Sequence, residues 1–138
     1  MTLLRKLMYP TLVVLTGLLS LSGLAGGIGL LFNLNAPPVE QLGNSVFKDY
    51  AVPGLSLFFL VGGSALLATV LLVRKSRYGA LSANTAGVII MFFEFVEVLV
   101  IGSPAGVARS LQIIYFGLGT LISVFATGIW FIDLRLQK

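Results

Sequence analysis

Four long apolar runs without Arg or Lys constrain this 138-residue sequence more than any other feature. The runs cover about residues 7–32, 51–73, 81–101 and 111–132. An α-helix of about 20 apolar residues spans the hydrocarbon core of a bilayer, which is about 30 Å thick. The runs lack the in-and-out alternation that is typical of outer-membrane strands. We therefore predict an all-α membrane protein with four transmembrane helices, called TM1 to TM4 in chain order.

The segments between the runs are short and contain turn residues. The first connector, residues 33–49, contains Pro37 and Pro38, and the other two cover residues 74–79 and 102–109. Short connections place successive helices side by side and antiparallel. We predict a single membrane domain, an antiparallel up-down-up-down bundle with both termini on the same side.

The basic residues predict which side that is. If both termini are cytoplasmic, seven of the nine Lys and Arg residues lie inside, and only Lys48 and Arg109 lie outside. The inside residues are then Arg5, Lys6, Arg74, Lys75, Arg77, Arg135 and Lys138. The positive-inside rule favours this orientation. The net charge of +4 is thus a topology signal, and we expect no nucleic-acid partner.

The composition excludes several kinds of chemistry. Only 10% of the residues are charged, against about 25% in a typical soluble domain. The sequence has no Cys and no His, which excludes disulfides, Cys/His metal sites and an imidazole general base. We expect no cofactor, no metal site and no soluble enzyme.

TM1 allows two interpretations. Because Arg5 and Lys6 precede an apolar run, the segment resembles a signal peptide, but the run exceeds the usual apolar region of about 7–15 residues. We therefore predict a retained helix. Its glycines include a GxxxG spacing at Gly23 and Gly27, which permits close helix contact inside the bundle or with a second membrane protein. A homo-oligomer or partner protein held through TM1 is a further expectation.

Two acids lie inside a predicted span, Glu94 and Glu97 in TM3. Their spacing of three places both on one helical face, about one turn apart. A charged residue at the bilayer centre costs about 2.5–3.5 kcal/mol on insertion scales. The deeper Glu94 is therefore expected to be protonated, or to face a partner or water. Its alternative role is that of a neutral hydrogen-bond donor within the core.

Other polar residues are predicted at the same outer depth. Asp49 and Tyr50 precede TM2, while Arg109, Gln112 and Tyr115 lie at the start of TM4. The short turn before Arg109 makes an ion pair with Glu97 geometrically easy. For Asp49 we favour stabilisation of a helix N-terminus over a binding role. The predicted outer cluster comprises Asp49, Tyr50, Glu94, Glu97, Arg109, Gln112 and Tyr115.

Several segments in order carry a resemblance: FKDYAVPG (47–54), RKSRYG (74–79), EVLVIG (97–102) and SLQIIYFGLG (110–119). The sequence from Phe47 onward resembles a group of small bacterial four-helix membrane proteins. The resemblance implies a four-helix fold, the inner (plasma) membrane of a bacterium and an outer cluster that includes Asp49, Tyr50, Gln112 and Tyr115. It implies no activity.

Three functions fit these observations. The first, which we favour, is binding of a lipophilic ligand or partner helix at the outer cluster, with membrane lipids as partners. The second is proton- or cation-coupled transport by an oligomer that uses Glu94. The third is a membrane enzyme in which Glu94 and Glu97 form an acid–base pair on a lipid-borne substrate.

Overall fold

The computed structural model describes residues 2–34, 36–43 and 45–138, and all regular elements within these ranges are helical. Four helices are long and apolar enough to cross a membrane, which confirms the predicted fold class. They are α1 (Leu3–Leu31), α2 (Ala51–Val73), α3 (Gly79–Val100) and α4 (Val107–Leu136). A 3₁₀ turn, Val39–Leu42, lies in the connection between α1 and α2. The side of the membrane on which the termini lie stays a prediction.

α1 and α4 both begin before the apolar runs that predicted them. The Thr2 hydroxyl accepts a hydrogen bond from the Arg5 backbone N–H at 3.2 Å and caps α1, so this helix begins at Leu3. α4 begins at Val107, after Gly106 with φ of 106°. Arg109 therefore lies in the first turn of α4 and not in the preceding connection.

Polar contacts join three helices at one end of the bundle. We call this the terminal end, because both chain termini lie there. Arg5 Nε on α1 lies 2.6 Å from Asp133 Oδ1 on α4. The Tyr9 hydroxyl on α1 donates to the Leu72 carbonyl on α2 at 2.6 Å. These two contacts show that α1 runs antiparallel to α2 and to α4. The opposite end, which holds the described residues between α1 and α2 and residues 101–106, is the loop end.

Glycines bring the helices together in two close pairs. A Cβ on Gly23 of α1 would lie 2.7 Å from the Gly62 backbone nitrogen of α2, and one on Gly27 would lie 2.8 Å from Phe58 Cα. In the second pair, a Cβ on Gly87 of α3 would lie 2.8 Å from the Gly119 carbonyl of α4. The GxxxG glycines thus pack within the chain, while the partner or oligomer through α1 stays a prediction.

α2 changes its helical form where it meets these glycines. It is α-helical over Ala51–Leu55 and Ser64–Val73, and π-helical over Ser56–Gly63. A hydrogen bond between the Thr69 and Thr16 hydroxyls, 3.0 Å long, continues the contact with α1 toward the terminal end. α1 and α2 are therefore joined along most of their length.

Candidate functional site

The buried core changes from apolar to polar toward the loop end. Its large apolar side chains are completely or almost completely buried, and they include Leu12, Leu19, Val61, Leu72, Ile90, Ile122 and Ile129. On the loop-end side of Ile90 and Ile122, the buried residues of α3 and α4 are Glu94, Gln112 and Gly119. Glu94 and Gln112 are each 5% exposed. Polar side chains thus replace the apolar core in the loop-end part of this helix pair.

Gln112 joins the two helices by its amide. Its Nε2 donates to Glu97 Oε1 at 3.3 Å and to the Gly102 carbonyl at 3.1 Å. Both hydrogens of the amide nitrogen therefore face acceptors. Exchanging the amide nitrogen and oxygen would place Oε1 against two oxygens, so the hydrogen-bond network fixes the orientation. Gln112 Oε1 is buried, and within the described ranges nothing donates to it.

Glu94 lies one turn deeper in α3 than Glu97. No hydrogen bond joins its side chain to any residue that the structure describes, so the alternative role of a hydrogen-bond donor in the core has no partner there. The α3–α4 register, set by Glu97 opposite Gln112, places Tyr115 at the depth of Glu94. Tyr115 is half-buried and packs against the apolar core.

The ion pair between Glu97 and Arg109 that the short connection made geometrically easy does not form in the structure. Arg109 is exposed and donates from Nη2 and Nε to the Ser103 carbonyl, at 2.7 and 3.2 Å. Arg109 is one turn closer to the loop end than Gln112, so it reaches its own connection, and Gln112 takes the position opposite Glu97. The cluster therefore contains two acids without a salt bridge to either among the described residues.

Asp49 and Tyr50 lie at the margin of this cluster. The exposed Asp49 accepts a hydrogen bond from the Ala51 backbone N–H at 3.0 Å, an arrangement that stabilises the start of α2. The half-buried Tyr50 donates to the Pro38 carbonyl at 3.3 Å. Burial raises the pKa of the Tyr50 phenol, and the nearby Glu97 and Glu40 carboxyl groups raise it further. Tyr50 thus binds the first connection and lies within electrostatic range of Glu97.

An apolar groove of about 800 Å³ opens between α1 and α4, beside the cluster. Its lining includes Leu18 and Ser22 from α1 with Leu111, Ile114, Tyr115, Leu118 and Leu121 from α4. At 3.6 residues per turn, Tyr115 lies about 60° around α4 from Gln112, and Leu118 lies about 60° further in the same direction. Tyr115 therefore separates the polar cluster from the groove.

Sequence reasoning missed the main-chain partners at this end. The carbonyl groups of Gly102 and Ser103 bind Gln112 and Arg109, respectively. No side-chain pattern in a sequence marks a main-chain carbonyl as an acceptor. The structure brings Glu97 and Gln112 together, with Glu94 one turn deeper and Tyr115 at the depth of Glu94 on the facing helix. Tyr50, Asp49 and Arg109 make separate contacts.

Comparison with known proteins adds no family: no family model matches the chain, and no curated protein or solved structure matches it either. The fold itself defines the class, which is an all-helical protein with four membrane-length helices. The resemblance to small bacterial membrane proteins stays an expectation from the motifs. Function must therefore be inferred from the site.

Proposed function

We propose that this protein is a small integral membrane protein that binds a lipophilic ligand at the loop end of its bundle. The polar head of the ligand meets Glu94, Glu97 and Gln112, and its apolar part lies in the groove between α1 and α4. The observation that carries the proposal is the buried, unpaired Oε1 of Gln112 in a polar core beside an apolar groove. Leaving a buried acceptor unpaired costs about 1–3 kcal/mol, and a bound head group that donates to it recovers this cost.

We propose a small amphiphile rather than a partner helix, because the groove is open and lined mainly by exposed apolar side chains of α4, and it lies beside polar groups that a head group would satisfy. Access is lateral, from the membrane, because the groove is lined by α1 and α4 rather than by the connections. With the orientation predicted above, the site lies in the outer leaflet of a bacterial inner membrane. Coupled transport through Glu94 and acid–base catalysis by Glu94 and Glu97 stay alternative proposals.

Photolabelling tests this proposal directly. The full chain in nanodiscs is irradiated with a hexadecanol that carries a diazirine near its hydroxyl, and labelled residues are mapped by peptide mass spectrometry. We expect labelling to concentrate on residues 111–121 of α4 and to fall several-fold in Gln112→Leu. Phe92 and Phe95, exposed on α3, give the background of random lipid contact. Equal labelling of α3 and α4, unchanged in the variant, would overturn the proposal.

A further inference from the structure

The site has an imbalance of hydrogen-bonding groups, because it offers more acceptors than donors. Gln112 uses both amide hydrogens on Glu97 and Gly102, which leaves its Oε1 without a donor. Glu94 is 5% exposed and receives no hydrogen bond from the described residues. Gln112 Oε1 is the buried acceptor that lacks a donor, so a ligand that completes this site must bring at least one N–H or O–H donor.

The site has a second imbalance, because it holds two acidic side chains and, among the described residues, no cation that would favour their ionised form. Glu94 and Glu97 lie one turn apart, and Tyr50 is neutral at physiological pH. The cation closest in sequence, Arg109, is held by the Ser103 carbonyl. In the described part of the chain the one salt bridge is Arg5–Asp133, which belongs to the terminal end. The polar cluster therefore has acids without a positive partner from the groups that face it.

We infer that the head of the ligand is a primary ammonium on a long apolar chain. An ammonium carries three N–H donors and a positive charge on one compact atom, so it corrects both imbalances together. A hydroxyl supplies one donor and no charge, whereas a trimethylammonium supplies charge and no donor. This inference rests on the proposed function, since it specifies the chemistry of the same ligand.

The test compares three probes that share one twelve-carbon chain: dodecylammonium, dodecyltrimethylammonium and dodecanol. Binding to the full chain in maltoside micelles is measured by calorimetry at neutral pH. We expect dodecylammonium to bind at least about tenfold more tightly than either other probe, as one additional buried hydrogen bond to a charged group predicts. Glu94→Gln and Glu97→Gln are each expected to weaken it about tenfold, while Asp49→Asn and Glu40→Gln leave it unchanged.

The outcomes separate this inference from the proposed function. If dodecanol binds as tightly as dodecylammonium, the ammonium inference is wrong and ligand binding stands. If Asp49→Asn weakens dodecylammonium binding as much as Glu94→Gln does, the binding depends on general surface charge rather than on the site, and the inference is again wrong. If none of the three probes shows saturable binding, both proposals fail.

A final arm identifies the source of the ammonium group. Short-chain phosphatidylethanolamine and phosphatidylcholine are added as competitors of dodecylammonium, because only the first has N–H donors on its nitrogen. Displacement by phosphatidylethanolamine alone supports an aminophospholipid head group. Displacement by neither lipid supports a free long-chain amine. Equal displacement by both lipids contradicts recognition of the N–H donors.

Discussion

The contact between α3 and α4 at Gly119 makes a quantitative prediction about stability. A Cβ on Gly119 would lie 2.6 Å from Ile90 Cγ2, 2.8 Å from the Gly87 carbonyl oxygen and 2.9 Å from Met91 Cγ. These distances are shorter than the optimal separation of about 3.5–4.0 Å between carbon atoms. The two side chains can move, but the carbonyl belongs to the backbone of α3. Gly119→Ala must therefore push the helices apart.

Gly117, two residues earlier in the same helix, provides the matched control. A Cβ there meets nothing within 4 Å. Both substitutions gain the helix propensity of Ala over Gly, about 1 kcal/mol, so this gain cancels when they are compared. The remaining difference is the cost of overpacking, about 1–3 kcal/mol. We expect Gly119→Ala to be less stable than Gly117→Ala by that amount.

The assay is reversible unfolding in mixed micelles, with the SDS mole fraction as denaturant and helical circular dichroism as the signal. The free energy of unfolding is compared between the two variants and the native sequence. We also expect Gly119→Ala to weaken dodecylammonium binding, because moving α3 from α4 separates Glu97 from Gln112. If both variants unfold with the same free energy, the close approach of α3 and α4 at this glycine is refuted.

The remaining predictions concern the ends of the bundle. Tyr9→Phe removes the hydrogen bond to α2 and is expected to lower the free energy of unfolding by about 1 kcal/mol in the same titration, and an unchanged value would contradict it. A double-mutant cycle with Arg5→Gln and Asp133→Asn should give a coupling of about 0.5–1 kcal/mol that decreases with added salt, since the pair is partly exposed. A double-mutant cycle with Arg109→Gln and Glu97→Gln should give no coupling energy. A coupling energy above about 0.5 kcal/mol would show that Arg109 and Glu97 do form an ion pair.

The fold could be predicted from the sequence because each apolar run is long enough to span a bilayer. The run at residues 51–73 coincides with α2, although its π-helical stretch carries no marker in the hydropathy pattern. The extension of α1 to Leu3 depended on the Thr2 cap, which lies outside the apolar run. Length and hydropathy thus predict the spans, while a capping hydrogen bond sets the start of α1.

The site was harder to predict than the fold, because it depends on how each helix is rotated. A membrane helix is apolar on nearly every face, so hydropathy does not indicate which residue of α4 faces α3. The spacing of Glu94 and Glu97 correctly placed both on one face of α3, since that inference needs only one helix. The partner of Glu97 could be predicted only by knowing how α4 is rotated about its axis. For this reason Gln112 lies opposite Glu97, where the sequence suggested Arg109.

Native mass spectrometry of the protein extracted from its own membrane tests the central claim most directly. We predict one bound amphiphile at a defined additional mass on the native sequence. The bound mass should persist in Asp49→Asn and disappear in the double variant Glu94→Gln with Gln112→Leu, provided that both variants retain helical circular dichroism. If the native sequence shows only the mass of the polypeptide, or if the double variant keeps the same additional mass, ligand binding at this cluster is contradicted.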